Sequence, residues 1–201
     1  MRDNNIVSTL LLKKKKKEFD LYNSAYELFK NKGINNTSID EIVKKAGVAK
    51  GTFYLYFKDK YDVVDKLINL KSSMLIKKAY EETQSRNFKE FEDMVFYFIE
   101  YIIDYFKEDK LLLKVINKNF SYAIHKDSKF LESNKEVKEI IDVFLEELSK
   151  KGIKKEEGEI TLFMILELVG SVCYSSIILN EPADIETIKP ILFKKVRCMI
   201  K

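Results

Sequence analysis

The chain has 201 residues, 46% apolar and 34% charged, with only 6 Gly and 2 Pro, where average usage near 7% and 5% would give roughly 24 such residues. So few turn-formers argue against an all-β fold, and the apolar content excludes a disordered chain. Two cysteines, Cys173 and Cys198, and a lone histidine, His125, provide neither a zinc-ligand spacing nor a disulfide framework. The net charge of +4 conceals an asymmetry: residues 1–60 carry 13 Lys and Arg against 7 Asp and Glu, residues 61–201 carry 23 against 25. A positive head on a nearly neutral body is the charge pattern of a nucleic-acid-binding module attached to a part with another task. The unbroken apolar run 162–166 is too short to cross a bilayer, and Leu10, Leu11 and Leu12 precede the lysine run 13–17 instead of following basic residues as in a secretory signal. A cytoplasmic protein without membrane segment or cofactor is expected.

Phe19, Tyr22, Ala25, Tyr26 and Phe29 recur at three- and four-residue intervals and predict a helix ending near Lys32, with Gly33 taking the left-handed stop conformation. Ser38 followed by Glu41 predicts a capping box that opens a second helix, whose buried face is Ile39, Ile42, Val43 and Ala46. Gly47 supplies the turn, Val48 an apolar anchor, and a short third helix covers 49–56. Val63, Val64, Leu67, Leu70, Met74, Leu75 and Ala79 predict a long linking helix over 59–82. Further helices are expected at 88–107, 110–125, 132–151, 156–180 and 184–200, with no strand alternation. The expected fold is all-α: an N-terminal three-helix helix-turn-helix head over 1–57, joined by a long helix to a larger helical effector-binding and dimerisation domain over 58–201.

Two helices across a tight glycine turn, held at an angle by Ile42, Ala46, Val48 and Phe53, describe a helix-turn-helix with its second helix presented outward. The whole stretch TSIDEIVKKAGVAKGTFYLYFKDK, residues 37–60, resembles the DNA-binding signature of the TetR family of bacterial transcriptional regulators. The resemblance extends upstream through Ala25, Leu28, Phe29 and Gly33 and downstream in the spacing of Phe57, Lys60 and Val63, where Val63 replaces the family's usual leucine. It implies a non-enzymatic homodimer that binds a palindromic double-stranded DNA operator, most simply a repressor released by a small-molecule effector. A protein of the same fold that answers to a protein partner, or to no ligand, is the alternative.

The N-terminus of the third helix points backbone N–H groups and the positive end of its dipole outward, toward phosphates or base edges. Lys50 lies in that first turn. Gly51 inside a helix costs about 1 kcal/mol relative to Ala, which fits a place where a side chain would hold DNA away, although simple surface tolerance gives the same residue. Thr52 carries a hydroxyl for a base edge and a methyl for thymine, and the resemblance makes it a base reader. In related proteins the positions of Tyr54 and Tyr56 reach backbone phosphates; the other reading packs a ring under the head. Lys60 looks like the family's phosphate-binding lysine, while Thr37 and Ser38 resemble the phosphate contacts that open the second helix, with capping alone as the other role for Ser38. Ala49 stands where many relatives carry serine and cannot hydrogen-bond a phosphate through its side chain. Phe53 and Phe57 face the core. The lysine run 13–17 reads either as a DNA-tracking arm or as a solvated leader.

In the larger part, the aromatic-rich helix around 88–106 carries a core stripe of Phe91, Val95, Phe98, Ile102 and Tyr105 or Phe106. Tyr97 and Tyr101 lie on another face, where they either line a cavity or pack on a neighbour. Phe120, Tyr122 and His125 fall on a helix that borders the ligand cavity in TetR-like folds. Glu167 interrupts the most apolar helix, and a buried carboxylate needs a partner: a basic side chain, the second subunit or a cationic effector. The candidate effector contacts are Tyr97, Tyr101, Phe120, His125 and Glu167, with a satisfied structural histidine as the other reading of His125. Gly170, Ser171, Ser175 and Ser176 permit close helix approach, and Ile188, Ile191, Leu192 and Val196 give the last helix an apolar face; this pair resembles the family's dimerisation helices.

Overall fold

The computed structural model describes residues 2–116 and 128–201, and every regular element among them is helical. In chain order these are α1 (Arg2–Lys32), α2 (Ile39–Ala46), α3 (Lys50–Tyr54), α4 (Lys60–Gln84), α5 (Phe91–Glu108), α6 (Lys110–Ile116), α7 (Ser128–Ser133), α8 (Lys135–Lys150), α9 (Lys155–Cys173) and α10 (Ile185–Met199), with a π-helical stretch, Tyr174–Leu179, prolonging α9. They gather into two compact units, Met1–Leu67 and Ile68–Lys201, so the division falls inside α4.

In the first unit, α1 stops where Gly33 turns left-handed (φ 84°) and donates its N–H to the Phe29 carbonyl at 2.9 Å. The predicted stripe on α1 needs correction. Leu21, Ala25 and Phe29, at exact four-residue spacing, are buried together with Ser24, whereas Phe19 is exposed. The helix also begins at Arg2, so the lysine run is helical. At α2 the sequence reading holds: Ser38 forms the capping box with Glu41, and Gly47 adopts φ 66° at the C-terminus. Phe53 and Phe57 are sealed, their ring centroids 5.3 Å apart, and Tyr22 meets Phe57 edge-on at 5.0 Å. Each large apolar side chain buried in this way stabilises the head by roughly 1.5–3 kcal/mol relative to exposure. With Ile42, Val63 and Leu67 they form the core that sets the angle between α2 and α3.

In the second unit, α5 buries Val95, Phe96, Ile99, Ile102, Ile103 and Phe106, a broader face than the predicted stripe, while Phe91 and Phe98 are half-buried. Phe96 explains the difference: it stacks on Phe193 of α10 (5.1 Å, 11°) with the Arg197 guanidinium 4.9 Å from its ring, giving α5 a second packed side. Lys189 to Glu100 and Lys107 to Glu186, both 2.8 Å, pair the same two helices at their rims. Gly158 lets α9 approach α8 closely, since a Cβ there would lie 3.2 Å from Leu145 Cδ2. The short apolar run in the sequence understated α9. With its π-helical continuation, Lys155–Leu179 is long and apolar enough by length and composition to cross a membrane; one side of it packs against α5, α6, α8 and α10 while another is exposed.

Candidate nucleic-acid interface and effector cavity

Short as it is, α3 has two unlike edges. Phe53 is wholly buried, whereas Lys50, Gly51 and Tyr54 are exposed and Thr52 is half-exposed. Ala49 caps the helix in extended conformation without a side-chain bond, and the Thr52 N–H closes back on its carbonyl at 2.8 Å. A Cβ at Gly51 would meet nothing within 4 Å. Nothing inside the protein therefore demands glycine at this helical position, and the constraint, if any, lies outside the surface. Lys50 pairs with Asp40 of α2 at 2.8 Å, and that carboxylate raises its pKa. The pair is open to solvent, so its ammonium can exchange one anionic oxygen for another at small cost.

The sequence reading grouped Thr37, Ser38, Tyr56 and Lys60 with this edge as phosphate contacts, and the structure gives each of them internal work. Thr37 is 2% exposed, and its hydroxyl donates to the Gly33 carbonyl at 2.8 Å. Ser38 accepts from the Glu41 N–H while its own N–H and hydroxyl donate to the Glu41 carboxylate at 2.9 and 2.8 Å. Lys32, then the Ser38 backbone and hydroxyl, hold Glu41 well below the usual carboxylate range, at about 2. The Lys60 ammonium donates to three carbonyls of the α1–α2 loop, those of Ile34, Asn35 and Thr37, at 2.9, 3.0 and 3.2 Å. Its donors are thus engaged in holding the loop. Tyr56 is half-buried and donates its hydroxyl to the Lys14 carbonyl at 3.2 Å. Of the candidate contacts, Lys50, Gly51, Thr52 and Tyr54 face outward, Ser38 is exposed while it caps α2, and Leu55 is the most exposed large apolar residue beside the α3 edge.

The second unit holds a cavity walled by α4, α5, α8 and α9. Its lining includes Ile76, Tyr80 and Thr83 of α4, Phe98, Ile102 and Phe106 of α5, Ile141 and Phe144 of α8, and Leu166, Val169 and Gly170 of α9. Among the described residues, no charged side chain lines it. Its polar side chains are those of Tyr80 and Thr83, and the Thr83 hydroxyl already donates to the Ala79 carbonyl at 2.6 Å. Gly170 serves this space: a Cβ there would meet nothing within 4 Å, so its expected part in close helix approach is not seen within the chain.

Three of the expected effector contacts do not line this cavity. Tyr97 packs on Phe88 (5.4 Å) beneath the Arg86 guanidinium (4.5 Å), outside the cavity. Tyr101 is half-buried and does not line it either. Glu167 is exposed, so the desolvation that demanded a partner does not arise. Phe120 and His125 lie outside the described residues. The actual α5 lining, Met94, Val95, Phe98, Ile99, Ile102 and Phe106, follows three- and four-residue spacing. That signal was legible, but the sequence does not tell a cavity-lining apolar side chain from a packed one.

The first unit is thus a helix-turn-helix with an outward-facing helix edge, and the second a helical bundle with an apolar cavity. The model of the N-terminal domain of "Bacterial regulatory proteins, tetR family" matches residues 21–67. The fatty acid metabolism regulator protein of Bacillus subtilis is 33% identical over 73 residues, 36% of this chain and 38% of that protein. The HTH-type transcriptional regulator YhgD of the same organism is 25% identical over 84% of this chain and 88% of its own. Among the first curated relatives the matched stretch spans only 19% to 38% of their length. The fold of FadR from Bacillus subtilis, solved in complex with stearoyl-CoA, superposes with a TM-score of 0.61 at 19% identity, covering 89% of this chain and 97% of that one. Residues 21–67 thus match the TetR family's N-terminal domain, and the chain as a whole shares the fold of solved regulators of that family.

Proposed function

We propose that this protein is a homodimeric repressor that reads a palindromic operator through two copies of α3 and leaves it when an apolar small molecule fills the cavity. Residues 1–57 do the reading and 58–201 the sensing and dimerisation. One observation carries the proposal: the Lys50, Gly51 and Thr52 edge is presented to solvent by a helix whose other side is locked into the core by Phe53. Its exposed N-terminal N–H groups, ammonium and hydroxyl suit phosphates and base edges. Two such edges engage successive major grooves when spaced roughly 34–36 Å apart, so two-fold symmetry in the protein is mirrored in the DNA. The row Ile160, Met164, Glu167 and Ser171 on α9, with Ile191 on α10, is exposed in the single chain and supports dimerisation through these helices.

The cavity's chemistry narrows the effector. A charged group brought among these side chains would lose its hydration without a partner, so the buried part of the ligand is a neutral hydrocarbon or aromatic body with at most one or two hydrogen-bonding groups near Tyr80. A long acyl chain fits that description, in keeping with the stearoyl-CoA in the FadR structure. The effector acts by favouring the state that binds DNA less well, since equal affinity for both states would shift nothing. Genomic selection followed by footprinting tests the reading: a protected palindrome that is lost on adding acyl-chain ligands supports it, and absence of any protected palindrome rejects it. A palindrome indifferent to every apolar ligand favours control by a protein partner.

A further inference from the structure

The lysine run 13–17 has no part in the interface described above, yet the structure sets it beside that interface. α1 is continuous through it, and all five lysines are exposed. The segment is tied to the reading helix, because Tyr56, just past the end of α3, donates its hydroxyl to the Lys14 carbonyl at 3.2 Å. At about 100° per residue, Lys13, Lys16 and Lys17 share one face, and Lys14 and Lys17 share another. Like charges three and four apart oppose the helix that carries them. Glu18 and Asp20, the next acids along α1, offset only part of that charge. A polyanion would relieve the repulsion and complement the patch.

We propose that residues 13–17 form a second, sequence-independent duplex-binding element, which holds backbone phosphates flanking the bases read by α3. This rests on the DNA-binding reading above. Lysines are point charges with no base-reading fork, so the element adds affinity and salt dependence, not sequence preference. Each phosphate it neutralises adds about 0.9 to the magnitude of the slope of log K against log salt.

The test uses the full chain on the duplex recovered by genomic selection, with binding measured across a salt series for wild type, for a variant carrying Lys→Gln at positions 13–17, and for one carrying Lys→Arg there. With two or three lysines of each subunit facing the duplex, the Gln variant is expected to keep the footprint while the slope for the dimer falls by about 4–5 and its low-salt affinity drops at least tenfold; the Arg variant restores both. A footprint with unchanged slope and affinity in the Gln variant overturns this proposal alone, as does an Arg variant as weak as the Gln one, which would mean that the lysines serve the fold. A wild type with no footprint but a Gln-sensitive slope on any duplex supports the element and overturns operator reading. A wild type that binds no duplex overturns both.

Discussion

Lys60 stands at the start of α4 with its ammonium donating to three loop carbonyls, the environment of a residue that holds backbone in place. Lys60→Met should therefore destabilise the head by about 1–3 kcal/mol, because it leaves partly buried carbonyls without a donor; thermal or chemical denaturation reads the loss. Gly51 makes the opposite case. Its surroundings are empty, so Gly51→Ala should leave the fold intact or stabilise it by up to about 1 kcal/mol while weakening operator binding. Affinity and melting temperature measured on the same sample separate the two effects. If Gly51→Ala binds its operator as tightly as wild type, the glycine is surface tolerance and nothing more.

At the scale of single elements, α2 depends on the exchange between Ser38 and Glu41. The folded-state pKa of Glu41, about 2, lies below its ordinary 4.5, so what it contributes is complete above pH 4.5 and is lost as pH falls through about 2. Acid should thus loosen the start of α2, and Glu41→Gln should abolish that pH dependence; amide exchange of α2 from pH 5 to pH 2 follows both. On α9, Met164 lies in the exposed row between Ile160 and Glu167. Met164→Arg should leave the melting temperature of the chain nearly unchanged at low concentration and yield a monomer by light scattering. A variant that remains dimeric would move the subunit contact elsewhere.

For the molecule as a whole, the proposed sensing cavity lies in the second unit and the proposed reading edge in the first. A ligand present at 100 times its dissociation constant stabilises by about 2.7 kcal/mol, roughly 5–10 °C in melting temperature for a chain of this size. Neutral or acyl-chain ligands should give that shift, and small dicationic dyes should not. Gly170→Phe puts a ring into the space that Gly170 leaves open and should remove the shift while the footprint persists. A ligand-induced shift that survives in Gly170→Phe would place the effector outside this cavity.

The all-helical fold, the capping box at Ser38, the turns at Gly33 and Gly47 and the burial of Phe53 and Phe57 were legible in the sequence, because each depends on residues within a turn or two of one another. So was the outward edge of α3, since a five-residue helix with one sealed aromatic has little choice of which side to present. What only the tertiary structure decided was where long side chains find partners. It assigned Lys60 to three carbonyls, Tyr56 to Lys14, Tyr97 to Arg86, Glu167 to the surface, and the cavity to a set of aliphatic and aromatic side chains drawn from four helices. Helical periodicity tells which residues turn inward. Whether they meet another side chain or empty space depends on how distant helices cross, and that information is held by no single stretch of the chain.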